Sequence, residues 1–176
     1  MNSAKKILVI TASNGKNLEL GERFLDLGRE MGQEMNLLDL TKWDLPLYNP
    51  RTHKEKGIPD ISKELNTQLK SSSHWIICAP EYNGSIPPLL TNAIAWLSVQ
   101  EDDFRELFNG RPIAMGTFSG GGGMELLLSL RIQLTHLGAQ VLGRQLLSNY
   151  NKPPKDESIK SLLIQLSQMQ KLKTSE

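Results

Sequence analysis

Pro80-Glu81-Tyr82-Asn83-Gly84-Ser85-Ile86-Pro87 packs an aromatic ring, an amide, a carboxylate and free backbone N–H groups into one short stretch. That mixture suits a flat molecule with polar edges. An ordinary strand–helix connection is the plain alternative, and local chemistry alone does not separate the two. A second unusual stretch is Ser119-Gly120-Gly121-Gly122-Gly123. Successive glycines cost backbone entropy, and a surface turn rarely needs so many. They let a ligand lie directly on the main chain with N–H groups aimed at it. A flexible linker would share this composition, but linkers do not usually join an apolar strand to an amphipathic helix. The third stretch, Ala12-Ser13-Asn14-Gly15-Lys16-Asn17, offers hydroxyl and amide groups where a helix begins. Unpaired N–H groups and the helix dipole both favour an anion there. Ser13 or Asn14 as a plain helix cap uses the same groups, so cap and anion cradle are compatible. No Gly-x-Gly-x-x-Gly and no Walker-type loop occurs in this loop.

The elements that must hold these stretches follow from hydrophobic period. Lys6-Ile7-Leu8-Val9-Ile10-Thr11 and Trp75-Ile76-Ile77-Cys78-Ala79 are continuous apolar runs, the mark of strands covered on both faces. Met35 to Leu40, Ile113 to Phe118 and a run starting at Gln140-Val141-Leu142 supply three more, the last broken at Asn151-Lys152-Pro153-Pro154. Amphipathic helices are expected from Leu18 to Met31, Ser62 to Ser72, Leu89 to Leu97, Met124 to Leu137 and Ser158 to Leu172. Trp43 to Asp60 reads as a long irregular segment, and Glu101 to Phe108 as an exposed acidic connection. His74 reads as a boundary residue. The tail from Lys171 to Glu176 is expected to fray. Strands alternating with helices imply an α/β fold: one domain over 1–176 with a doubly wound, five-stranded parallel sheet in the order 2-1-3-4-5. In that order strands 1, 3 and 4 are adjacent. Their carboxyl ends, near Thr11, Ala79 and Phe118, would bring the three unusual loops to one crevice.

Composition narrows the function further. The chain has 176 residues and a formal net charge of +1, without the basic excess of an electrostatic nucleic-acid binder. Cys78 is the sole cysteine, so neither an internal disulfide nor a cysteine-rich zinc site can form; its apolar neighbours make it a small buried hydrophobe rather than a nucleophile. His53 has no partner at metal-ligand spacing. Met1 to Lys6 lacks the apolar region of a signal peptide, and no run is long enough to span a bilayer. A cytoplasmic protein without membrane association is expected.

The Pro80 to Pro87 motif, with Asn92-Ala93-Ile94-Ala95-Trp96-Leu97-Ser98 behind it, resembles the signature of the NAD(P)H-dependent FMN reductases, a family that includes quinone, azo-dye and chromate reductases. The likeness extends to Leu45-Pro46-Leu47-Tyr48-Asn49, the glycine loop, Leu130-Arg131 and Leu137-Gly138-Ala139. It implies a flavodoxin-like fold, bound FMN, NADPH or NADH as co-substrate, a small-molecule electron acceptor, and a homodimer or tetramer. Carried over, Ser13, Lys16, Asn17 and Leu18 would surround the FMN phosphate. Pro80, Glu81, Tyr82, Asn83 and Gly84 would run along the ribityl chain and ring edge, and Ser119, Gly120 and Gly121 would meet the isoalloxazine. Tyr82 would order or gate the flavin face, or pack at a subunit interface. Chemistry carried by the flavin needs no catalytic side chain and no metal. The first loop departs from the family pattern of Gly-Ser, Arg, then Ser, and leaves Lys16 to supply charge. Ala95 stands where an acidic residue is common. A flavin-binding electron carrier, or a non-catalytic interaction protein on the same fold, are the rival readings.

Overall fold

In the computed structural model, which describes residues 5–172, β1 (Lys6–Thr11) lies one strand in from the edge of a parallel sheet. It pairs with β2 (Glu34–Asp39) on one side and β3 (His74–Cys78) on the other, and β3 pairs with β4 (Pro112–Phe118). Successive side chains of each strand serve opposite layers. Ile7, Val9, Ile76, Cys78 and Ala114 pack with the apolar residues of α1 (Lys16–Glu30) and α6 (Asp156–Gln168). Leu8, Ile10, Trp75, Ile77, Ile113 and Met115 pack with those of α3 (Asp60–Lys70), α4 (Pro88–Leu97) and α5 (Met124–His136). Both registers are buried, so these strands carry no polar alternation. Cys78 is buried in the first layer, and burial pushes its thiol well above the usual range.

The order β2-β1-β3-β4-β5 is the expected one, with a difference at its fifth position. Two short strands share that place. β5 (Gln140–Val141) pairs with the start of β4 and β6 (Leu146–Ser148) with its end. Arg131 on α5 occupies the break, donating to the carbonyls of Leu142 (2.9 Å) and Gly143 (3.3 Å) and to Gln145 Oε1 (2.9 Å). These acceptors cannot all be met by a ladder, so the guanidinium replaces it.

Other expectations need correction. The segment 43–60 contains α2 (Pro50–Lys56). Asn49 accepts from the N–H groups of Arg51 and Thr52, and Pro50 fits the first turn. α2 buries no residue, so no apolar stripe announced it. The connection after α4 is not all exposed, because Leu107 and Phe108 are buried and the Phe108 ring meets Trp75 edge-on at 5.6 Å. α3 starts and ends two residues earlier than expected, and α6 closes at Gln168 rather than Leu172. Residues 169–172 then cross the edge where the strands begin: Leu172 N–H donates to Gly110 O at 3.0 Å, and His74 bonds Met169 O at 3.1 Å. His74 opens β3 rather than preceding it. The expectations for Met1 to Ala4 and for Lys173 to Glu176 lie outside the described residues. No helix among the described residues is long and apolar enough to cross a membrane.

Candidate functional site

The first loop leaves β1 at Thr11 and enters α1 at Lys16. Gly15 is the N-cap and has no side chain to offer. Among the described residues, the N–H groups of Ser13, Asn14, Gly15, Lys16 and Asn17 meet no acceptor, whereas Leu18 N–H is spent on Gly15 O at 2.8 Å. The Thr11 hydroxyl, at the end of β1, is buried without a partner among the described residues. A 15-residue helix thus aims unpaired donors and its positive end at one spot.

Side-chain types in this loop do not all serve that spot. Asn17 is 2% exposed, and its amide is committed to the main chain of Phe118: Nδ2 donates to the carbonyl at 2.9 Å and Oδ1 accepts from the N–H at 2.8 Å. It splices the first loop to the end of β4 and leaves only its own N–H for a ligand. The Lys16 ammonium donates to Glu19 Oε2 at 2.7 Å, and that bond holds it above its usual value. Lys16, Glu19, Leu20, Arg23, Phe118 and Pro154 line a cavity of 270 Å³ beside the helix start. A wider cleft of 650 Å³, between α1, α3 and β2, shares no residue with the three loops.

The second loop leaves β3 and folds back on itself. Tyr82 N–H donates to Ser85 O at 3.1 Å and Ser85 N–H returns to Tyr82 O at 3.0 Å. Asn83 (φ 52°) and Gly84 (φ 66°) take positive φ, which makes this a type I′ turn. Asn-Gly is the pair such a turn prefers, because only those residues enter the left-handed region cheaply. The turn projects Tyr82, which is 51% exposed, with exposed Asn83 and Gly84 at its tip, while Pro80 is buried at its base. Glu81 reaches the other way. Its Oε2 accepts from Leu126 N–H, in the first turn of α5, at 3.4 Å, and a Cβ on Gly121 would stand 3.5 Å from Oε1.

The third loop is the glycine run. Ser119 is buried, its N–H donates to Ser148 O at 3.0 Å, and its hydroxyl accepts from Gly121 N–H at 3.1 Å. Gly120, Gly121 and Gly122 are exposed. The N–H groups of Gly120 and Gly122 meet no acceptor among the described residues. Gly123 (φ 74°) caps α5 in the left-handed region.

Two hydroxyls that residue type did not flag lock the loops together. Thr117 Oγ1 donates to Ala79 O at 2.7 Å, and Ser148 Oγ donates to Thr117 O at 2.7 Å. Nothing in an apolar run distinguishes such a hydroxyl from a tolerated polar residue. The stretch Leu45 to Tyr48 is fixed by α4. Asn92 Oδ1 accepts from Tyr48 N–H at 2.8 Å, and Trp96 Nε1 donates to Pro46 O at 2.7 Å, which leaves Leu47 83% exposed.

Three adjacent strand ends therefore hold their loops in mutual contact. The family model of NADPH-dependent FMN reductases matches residues 5–152, and that span contains all three loops. The chain belongs to the NADPH-dependent FMN reductase family. Among relatives, a quinone reductase of Escherichia coli K12 is 36% identical over 103 residues, 57% of this chain and 53% of that one. An NAD(P)H-dependent FMN reductase of Schizosaccharomyces pombe is 25% identical over 112 residues, 58% of this chain and 50% of that one. The aligned part spans about half the length of these relatives. In three dimensions, FerB, a flavoenzyme NAD(P)H:(acceptor) oxidoreductase from Paracoccus denitrificans, superposes with a TM-score of 0.76 at 20% identity, over 94% of this chain and 96% of that one. A flavodoxin from the domain Archaea superposes with a TM-score of 0.61 at 13% identity, over 92% and 93%. The fold is flavodoxin-like.

Proposed function

We propose that this FMN reductase-family domain binds FMN where the three loops meet and moves hydride from NADPH or NADH through it to a small acceptor such as a quinone, an azo compound or free flavin. The observation that carries this reading is the orphaned polar groups at one edge of the sheet. The N–H groups of Ser13 to Asn17 are left for an anion, and the exposed main chain of Gly120 to Gly122 offers backbone with no side chains of its own. These residues fit a molecule with a phosphate at one end and a planar ring at the other.

FMN, when bound, supplies the two-electron hydride chemistry. The chain's own residues bind and orient. Ser13 to Asn17 hold the phosphate through main-chain donors. The free N–H groups of Gly120 and Gly122 would donate to the ring and favour its reduced, more negative form. The Tyr82 turn would border the bound ring, and Glu81 ties that turn to the glycine loop and α5. The chain's part in the transfer would be to hold donor and acceptor in turn close to the bound flavin. The working form in this reading is a cytoplasmic homodimer or tetramer. Met124, Leu128 and Ile132, exposed at successive turns of α5 next to the glycine loop, support a subunit contact there.

The absorbance of the freshly purified protein tests the cofactor, and anaerobic addition of NADPH tests the activity. A yellow protein that bleaches supports the proposal. Bound flavin that stays oxidised makes the domain an electron carrier. Colourless protein that leaves FMN fluorescence unquenched ends the flavin reading altogether.

A further inference from the structure

Parallel strands have two unlike edges, and the three loops occupy only one. At the other, where strands begin, Arg111 sits immediately before β4 and is 1% exposed. Its guanidinium lies 4.1 Å from the centre of the Trp75 ring. Nε donates to Leu107 O at 2.9 Å and Nη1 to Ser72 O. Those two carbonyls and the Trp75 ring face stabilise the charge without neutralising it. No carboxylate pairs with Arg111 among the described residues, and Nη2 meets no acceptor there. Arg111 forms one wall of a 370 Å³ cavity completed by Lys70, Glu106, Leu107, Asn109 and Lys171. Lys70 is held by Glu101 at 2.5 Å and Glu106 at 3.2 Å, so among the described residues both carboxylates near the cavity are already engaged and the cluster keeps excess positive charge.

Burial pushes the Arg111 guanidinium down to about 10, where it remains charged at neutral pH. Burial and then repulsion from Arg111 lower the Lys171 ammonium as well. A desolvated cation without a counter-ion is costly, and an entering anion recovers that cost.

We propose that this cavity is a binding site for a small oxyanion, a phosphate or carboxylate group, at the edge of the sheet opposite the flavin loops. Arg111 Nη2 and the Lys171 ammonium supply the donors, in the charge-assisted geometry such groups favour. Lys70 adds charge, and Glu106 on the wall tunes affinity downward.

Calorimetric titration of inorganic phosphate into the full chain, at ionic strength held constant with chloride, tests this with and without saturating FMN. Saturable binding that FMN leaves unchanged is expected. Loss of one charged donor in Lys171→Met should weaken it about five-fold or more, and Glu106→Gln should tighten it about three-fold. Both residues lie outside the flavin loops, so these shifts are readable whether or not FMN binds. Absence of saturable binding overturns the proposal. So does binding that FMN abolishes and Lys171→Met leaves intact, because the phosphate would then sit at the start of α1.

Discussion

Asn17 shows how a side chain can matter to a site without touching a ligand. Its amide closes two hydrogen bonds with the main chain of Phe118, 101 positions away. Asn17→Ala leaves both Phe118 groups short of a partner, and should cost about 2–3 kcal/mol in urea unfolding. The same change should weaken FMN binding, because the first loop is no longer tied to β4. Lys16→Ala breaks only an exposed ion pair and should leave the urea midpoint unchanged. Two glycines of the third loop separate binding from folding. A Cβ at Gly121 meets nothing closer than 3.5 Å, so Gly121→Val should fold normally and lose FMN affinity by about tenfold or more through crowding of the ring. Fluorescence quenching titration checks it, and unchanged affinity would contradict the placement of this loop. Gly123 sits at φ 74°, and a Cβ added there would stand 3.0 Å from Thr117 Cγ2. Gly123→Ala should therefore lower stability by about 1–2 kcal/mol, seen as a fall in the urea midpoint.

Elements carry their share of the site through their ends. α5 begins at a glycine with no capping side chain, and Glu81 from the neighbouring loop supplies the missing acceptor at Leu126 N–H. A carboxylate there also faces the positive end of the helix. Glu81→Ala should cost about 0.5–1 kcal/mol of stability in urea unfolding, and Glu81→Gln should recover part of it by keeping an acceptor. The spectrum of bound FMN should shift in Glu81→Ala, since the Tyr82 turn would lose its fixed distance from the glycine loop. Legibility also divides by element. α1, α3 and α6 carry apolar stripes and are visible as periods in the chain. α2 lies on the surface and buries nothing, so only its Asn49-Pro50 cap marks it. The division of the fifth strand has no local sign, because it depends on Arg131 arriving from α5.

At the scale of the molecule, the stretch 169–172 closes the edge where strands begin, and His74 is one of its fastenings. The ring is 1% exposed and bonded to Ser73 Oγ at 2.8 Å and Met169 O at 3.1 Å. Burial holds its pKa below the ordinary 6.5; the Met169 bond opposes that in part, and Lys5 and Arg111 reinforce it. Below that value the unfolded chain takes up a proton that the folded chain resists. Stability is therefore flat in this respect above pH 6.5 and falls as pH drops, by at most about 1.4 kcal/mol per pH unit. Urea midpoints at pH 7 and pH 5 should show the loss, and His74→Gln should remove that part of it.

Much of this protein was written in its order of residues. Strands buried on both faces must be apolar throughout, so Lys6 to Thr11 and Trp75 to Ala79 announce a parallel sheet, and three stretches of odd composition fall at the ends of adjacent strands. Asn83-Gly84 even specifies its own turn, because positive φ is a local property. Which polar groups remain free is a different matter. Asn17, Lys16 and Gly121 look alike as candidate ligands by type, yet Phe118, Glu19 and Ser119 claim their amide, ammonium and N–H. Among the described residues, Gly120 keeps its N–H free. Hydrogen bonds are satisfied between segments far apart in the chain, so only the folded arrangement could decide what was left for a ligand.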